Sequence, residues 1–527
     1  MSVSKESKNI TILSIAGILS KFISLFYLPL LILIIGNASN GVYAHTYDVF
    51  VFIYAITSLG MQPAISKLVA ELDATNNFKD SLKTFKLARM FLIIGSLIFT
   101  LILIVFATNI SVLMENPQGD LALKFLAPSV FFTGILVSYR GYFQGKGYIK
   151  PIAISQIIEQ FINVSTSLLF AYIFLHKSLK LAIAGATIGT SLGAIIATLY
   201  LIFYLYRTCR INNYSVQAKK QIDTKLLVKK LFTYTLPLSL SAGLQNLGAL
   251  IDDKVVRSKL AFLNYTHENI NILVSYLGIY RQLLYVPLVI VTSLTVVLLP
   301  RISRSFKLKN NTDIKRTVDY SLKITYILLI PISFGFGVLS KNMYALLFKG
   351  AAGFELMLFG SVLLIFMGIV QLQSTILQAL NCFYKLVISL LIGVVVKLCA
   401  NYFFIGIGFF NIYGAILGGI LGFSVSLIIN MELIHKTINE KINSFNIILK
   451  AIIASVAMAI VIFAMDKLIF TLFTRKYFII LIATAIEFIV GIFTYGYLLI
   501  KLKGFTEKDL AIFPKKIQEI LLKIFTF

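Results

Sequence analysis

Apolar runs of about twenty residues, the length a helix needs to cross the hydrocarbon of a bilayer, return along this chain from Ile10 to Ile500. The breaks between them are too short for a separate soluble domain. The repeated run predicts an all-α membrane protein of about fourteen transmembrane helices. They fall near 10–35, 47–69, 87–107, 121–138, 152–175, 181–206, 231–251, 272–299, 318–339, 354–380, 386–407, 412–434, 447–464 and 478–500. The first run is too long for a signal-peptide core and has no small-residue cleavage site, so it is expected to remain as the first span.

Of the 527 residues, 58% are hydrophobic and 13% charged, with a formal net charge of +26. So basic a chain invites a nucleic-acid reading. The Lys and Arg residues, however, lie between apolar runs and form no single basic surface, so topology accounts for them. Alternate loops are basic: Lys79 to Arg89, Arg140 to Lys150, Arg207 to Lys230, Arg301 to Arg316, and the tail from Lys501. The loops at 36–46 and 108–120 carry no Lys or Arg. By the positive-inside rule both termini are expected in the cytoplasm. Cys209, Cys382 and Cys399 and four scattered histidines suggest neither a disulfide nor a metal site.

Three sequence pairs recur at offsets of 229 to 238 residues. Gly185, Gly189 and Gly193 stand in the pattern G-A-x-x-G-x-x-L-G, which returns at Gly414, Gly418 and Gly422. P-x-I-S-basic occurs at Pro63 to Lys67 and at Pro300 to Arg304. Glu159 is followed four residues later by Asn163, as Lys397 is by Asn401. Six helices per repeat preserve orientation, so two six-helix lobes related by an axis along the membrane normal are expected, with a cavity between them. The expected organisation is an N-lobe at 1–208, a basic linker at 209–230, a C-lobe at 231–436, two further helices at 437–502 and a cytoplasmic tail at 503–527. In that tail Ile517, Ile520, Leu521 and Ile524 share one face, the pattern of a helix lying on the membrane surface. The glycines suit close helix packing through small-xxx-small faces.

Ionisable residues at mid-depth are costly, about 2.5–3.5 kcal/mol each at the centre of a span, so they face partners or a polar cavity. Lys21 falls about 16 Å into the first helix and Arg281 about 14 Å into the eighth. Lys397 is similarly deep in the eleventh and Glu159 in the fifth. Glu159 has three readings: a structural ion pair with Lys397 across the lobes, satisfaction of local polar groups, or ion coupling. Lys21 can also snorkel. The only carboxylates near Lys21 and Arg281 are Asp48, Asp252 and Asp253, toward the outer mouth. A cationic cavity asks for an anionic ligand, and the Arg281 guanidinium can hold a phosphate with two hydrogen bonds without losing its charge. Lys21, Arg281 and Lys397 are therefore the candidate substrate-binding residues. No catalytic residues or cofactor are expected, since Asp252, Asp253, Glu268 and Asp466 form no catalytic constellation.

With R-G-Y-F-Q-G at 140–145, S-Q-I-I-E-Q at 155–160, A-I-S-K-L-V-A-E at 64–71 and I-Y-G-A at 412–415, the chain resembles the SpoVB/YtgP group of polysaccharide-biosynthesis membrane proteins. That group stands with the MurJ-type flippases in the multidrug/oligosaccharidyl-lipid/polysaccharide exporter superfamily. The resemblance implies alternating-access transfer of an undecaprenyl-pyrophosphate-linked sugar, lipid II or a related lipid-linked oligosaccharide, from the inner to the outer leaflet of a bacterial cell membrane. The partners it implies are that lipid, the bilayer and cell-wall synthesis machinery. It also implies that Lys21, in L-S-K-F, and Arg281, in Y-R-Q-L-L-Y-V-P, face the central cavity. The basic position on the second helix falls here near Ile53 or Tyr54, a departure from the family pattern. The last two helices look like the pair that forms a groove for the lipid tail. A cation or drug antiporter of the same superfamily is the nearest alternative, and its cavity should be acidic.

Overall fold

In the computed structural model the described residues are 3–211, 222–348, 350, 352–440, 442 and 445–504, and no strand occurs among them. In chain order the helices are α1 (Val3–Tyr54), α2 (Met61–Ala74), α3 (Phe78–Val105), α4 (Ala107–Leu113), α5 (Asp120–Gly145), α6 (Ile149–Leu175), α7 (Leu179–Ile211) and α8 (Thr224–Phe262). They continue with α9 (His267–Lys307), α10 (Asn311–Leu347), α11 (Phe354–Gly360), α12 (Leu363–Ala379), α13 (Phe383–Ile405), α14 (Gly414–Ile438), α15 (Phe445–Leu472) and α16 (Tyr477–Lys501). The expected amphipathic tail and residues 212–221 of the basic linker lie outside the described residues.

Among the described residues eleven helices are long and apolar enough to cross a membrane, or twelve if α11 and α12, bent by 58° at their junction, make one span. The sequence suggests fourteen, and two helices explain most of the difference. The polar stretch 36–46 is itself helical, so the first two expected spans run together as one stretch, Phe22–Asp73, from α1 into α2. Only Gly36 departs from helical geometry there, at φ 77° and ψ 168°, a conformation that glycine adopts without the clash a Cβ would bring. Helix α8 falls short of a simple apolar span because Gln245 and Asn246 interrupt its charge-free stretch and Asp252, Asp253, Lys254, Arg257 and Lys259 crowd its last third.

The chain divides into two compact units, one of Met1–Val289 with Cys382–Val425, the other of Ile290–Asn381 with Ser426–Phe527. In the first unit α2, α3, α5, α7 and α8 close around Ile65, Leu68, Phe85, Leu136 and Phe143. The Phe85 ring sits between Tyr139 and Tyr142, at centroid distances of 5.2 and 4.7 Å. Lipid tails are as apolar as leucine, so helices in a bilayer associate through close packing and hydrogen bonds.

The two glycine triplets show how close that packing is. A Cβ placed on Gly193 of α7 would lie 2.6 Å from the Glu159 carbonyl oxygen on α6, and one on Gly185 would lie 2.8 Å from that of Phe170. Gly189 rests on Asn163 and Ser167. In α14, Gly414 meets Ile405 of α13, Gly418 meets the Asn401 side chain, and a Cβ on Gly422 would lie 2.7 Å from both the Gly393 carbonyl oxygen and the Lys397 Cβ. Overpacking such a contact costs about 1–3 kcal/mol. Gly193→Val is therefore expected to lower the thermal midpoint of the detergent-solubilised protein. An unchanged midpoint would mean that α6 and α7 have room to separate.

In the second unit α10 packs on α15 and α16 through two small clusters, Leu339, Met458 and Ile462 in one, Ile327, Ala454 and Leu499 in the other. A polar group joins the same three helices. The Asn342 amide donates to Asp466 at 2.6 Å and to Glu487 at 3.3 Å, and Arg475 bonds Asn342 and Asp466 at 2.9 and 3.0 Å.

Candidate functional site

Helices α1, α6, α8 and α9 of the first unit enclose a cavity of about 440 Å³. Its α1 wall is aromatic. Tyr43 and Tyr47 line the cavity, and Phe50 and Tyr54 continue their stripe along the helix into the packed core, at spacings of four, three and four and ring distances of 5.8, 5.5 and 6.0 Å. The Tyr27 hydroxyl bonds that of Tyr43 at 3.1 Å. Opposite them the lining is amide and cation: Gln160 and Asn163 from α6, Asn246 from α8, and Arg281 and Gln282 from α9. A space with polar, hydrogen-bonding walls inside an apolar helix bundle can hold a polar group that lipid cannot.

Arg281 lines this cavity, but it is not the unpaired cation that the sequence suggested. Its guanidinium pairs with Asp253 of α8, lies 3.3 Å from Asp48 of α1 and donates to the Ala249 carbonyl at 3.1 Å. One cation is thus shared between two helices. Asp253 is fully buried and also meets the His45 ring at 3.0 Å, whereas the Asp48 side chain keeps 26% of its exposure.

The contact between α1 and the pair α8–α9 continues past this pair. Arg257 donates to the Gly41 carbonyl at 3.1 Å and to Asn271 at 2.8 Å, and Asn40 donates to Ser275 at 2.8 Å. Gly41 lies against the Asn271 backbone, where no larger residue would fit. Residues 40–48 of α1 are therefore fastened to α8 and α9 by hydrogen bonds and ion pairs that neighbour the cavity.

The other sequence candidates lie elsewhere. The proposed Glu159–Lys397 pair does not form. Glu159 pairs with Arg140 of α5 at 2.7 Å, and the same Arg140 donates to Ser155 at 3.1 Å. The reason is that α5 continues helically to Gly145, carrying Arg140 inside; the sequence reading left it in a basic loop. Lys397 is not among the cavity's lining residues. Its ammonium sits 2.8 Å from Asp252, which also accepts from Asn401 at 2.5 Å, so α13 is pinned to α8. Lys21 belongs to α1, but its side chain lies outside the described residues. Sequence reasoning missed Arg140 as the partner of Glu159, and His45 and Arg257 as members of the polar cluster that neighbours the cavity. Arg140 stood in a motif already noticed, R-G-Y-F-Q-G, and only the helix register was lacking.

A bundle of apolar helices around an internal polar cavity defines a multi-pass membrane protein, and its fold is that of known membrane transporters. Over 93% of this chain and 99% of the other, it is similar to the structure of lipid II flippase MurJ in an inward closed conformation, at a TM-score of 0.67 and 17% identity. It is also similar to an inward-facing multidrug MATE transporter, at a TM-score of 0.65 and 15% identity over 79% of this chain and 94% of that one. The chain belongs to the family described as "Polysaccharide biosynthesis protein", whose model matches residues 7–306. Among curated relatives, stage V sporulation protein B of Bacillus subtilis (strain 168) is 28% identical over 399 residues, 74% of this chain and 76% of that protein. Lipid II flippase MurJ of the same organism is 24% identical over 461 residues, 82% of this chain and 83% of its own.

Proposed function

We propose that this protein moves a polyprenyl-pyrophosphate-linked cell-wall precursor, lipid II or a related lipid-linked oligosaccharide, from the inner to the outer leaflet by alternating access. The observation that carries the reading is Arg281, a cation in the wall of an amide- and tyrosine-lined cavity in a chain of the polysaccharide-biosynthesis family. The relatives named for lipid II transfer support it. A pyrophosphate offers the oxygen pair that a guanidinium binds with two parallel hydrogen bonds. It would compete with Asp48, the more exposed of the two carboxylates on Arg281, while Asp253 stays buried. Taking Asp48 off Arg281 loosens α1 from α9, so binding and opening become linked through one residue. Gln160, Asn163, Asn246 and Gln282 supply hydrogen bonds for a sugar, and the polyprenyl tail remains in lipid. A cation antiporter would need a carboxylate free to exchange its cation, and Asp48 is already held by Arg281.

The same reading covers the finer architecture. Dividing α1 at Gly36, and counting α8 and the bent pair α11–α12, brings the spans to fourteen. Each glycine triplet packs its helix on the one before it, with an Asn under the second glycine and Glu159 or Lys397 under the third. This supports a parallel duplication of six helices, 1–208 and 231–436, with 437–502 added, while the basic alternate loops support cytoplasmic termini.

The test is acute depletion in cells lacking other flippases of the same lipid. Lipid II should accumulate on the inner leaflet, and wild type should restore its transfer while Arg281→Ala, inserted at equal level, should lower transfer at least about tenfold, the loss of one charged hydrogen-bond donor. Depletion without accumulation of any lipid-linked glycan would sink the proposal.

A further inference from the structure

The second unit holds a cavity of its own, about 610 Å³, where the start of α10, the start of α15 and the chain just past α16 meet. Its lining is strongly cationic. Lys315, Arg316 and Lys323 come from α10, Lys450 from α15 and Lys503 from beyond α16, with Asp319 as the one carboxylate among the lining residues. Arg316, Asp319 or Tyr320, and Lys323 are spaced three to four residues apart, so they share one helix face. The pocket is also tied together: Lys450 donates to the Lys503 carbonyl at 3.2 Å, and Lys315 pairs with Glu440 at 2.7 Å.

A topological excess of Lys and Arg would be met by cations spread over the ends of the spans, each pointing into water. Here five converge on one concavity from three separate segments, beside the hydroxyl of Thr312 and the amide of Asn446. Like charges gathered around a void repel each other, so the arrangement favours an anion between them. Basic pockets between the ends of membrane helices suit the phosphate of a lipid headgroup, whose acyl chains can lie along the apolar helices beside it. Ile453, Val456 and Ile460 of α15 and Ile482, Ile486 and Ile489 of α16 are exposed apolar residues on those helices.

We propose that this pocket is a binding site for the phosphate headgroup of an anionic lipid in the adjoining leaflet, held chiefly by Arg316, Lys323 and Lys450. It is separate from the cavity of the first unit and does not depend on what that cavity carries.

The full chain, purified in detergent, would be titrated with short-chain phosphatidylglycerol and, separately, with inorganic phosphate. Wild type is expected to bind the lipid saturably. Each surface cation contributes about fivefold, so Arg316→Gln with Lys450→Gln should weaken binding by about 25-fold. Gln at 450 keeps a donor for the Lys503 carbonyl and Arg316 is exposed, so the fold should survive; an unchanged thermal midpoint would verify this. Lys79→Gln with Lys86→Gln, two exposed cations of another basic segment, should leave affinity unchanged. Equal loss in both double variants would reduce the effect to general surface charge and overturn the site. Inorganic phosphate displacing the lipid at equal concentration would overturn the lipid assignment in favour of a free phosphate.

Discussion

Lys397→Met should destabilise the purified protein by about 3–5 kcal/mol, the cost of leaving one member of a buried ion pair without the other. Asp252 would then keep only the Asn401 amide, at 2.5 Å, in place of an ammonium at 2.8 Å. The second change is more informative. Lys397→Met combined with Asp252→Leu removes both charges, and it should recover most of the loss, because an apolar pair in that position has nothing to desolvate. Thermal unfolding in detergent measures all three variants. A double variant no more stable than either single one would show that the pair is not what couples α8 to α13. If Lys397 instead holds a ligand, the single variant would keep its thermal midpoint and lose transport, so the two roles separate cleanly.

A covalent link between α1 and α9 should stop transport altogether. The Asn40 amide and the Ser275 hydroxyl are 2.8 Å apart and both residues are buried. Asn40→Cys with Ser275→Cys, in a chain whose native Cys209, Cys382 and Cys399 are replaced by Ser, would place two thiols within reach of a disulfide. Oxidation should abolish precursor transfer and reduction should restore it. Transfer that persists with the disulfide formed would show that residues 40–48 of α1 need not leave α9 during the cycle.

Much of this fold was legible because hydrocarbon permits so few solutions. A run of twenty apolar residues has to be a helix, and the glycines at 185, 189 and 193 had to face a neighbour closely, whichever neighbour it was. Pairing of charges was not legible in the same way. Glu159 and Lys397 read as natural partners because both are deep and opposite in sign. The choice between Lys397 and Arg140 turns on whether α5 ends before or after residue 140, and helix ends are where sequence signals are weakest. Arg281 illustrates the converse. Depth left it either a partner or a cavity, and the structure gives it both: it lines the cavity and pairs with Asp48 and Asp253, two of the three nearby carboxylates, which only tertiary packing brings onto it from α1 and α8. The aromatic stripe on α1 went unread in the sequence, although its spacing fixes one face.

The cluster around Arg281 has a further electrical consequence. Asp48, Asp252 and Asp253 stand among Arg257, Arg281 and Lys397, three formal negative charges against three formal positive ones. Displacing such a group as a body through the membrane field does no net electrical work, since the contributions, each about 2.3 kcal/mol per charge per 100 mV for a full crossing, cancel. Voltage would act on the empty carrier hardly at all. On the proposed function, a bound pyrophosphate would bring charge that nothing in the cluster offsets, so an inside-negative potential would drive the loaded carrier outward and leave the empty one to return unopposed.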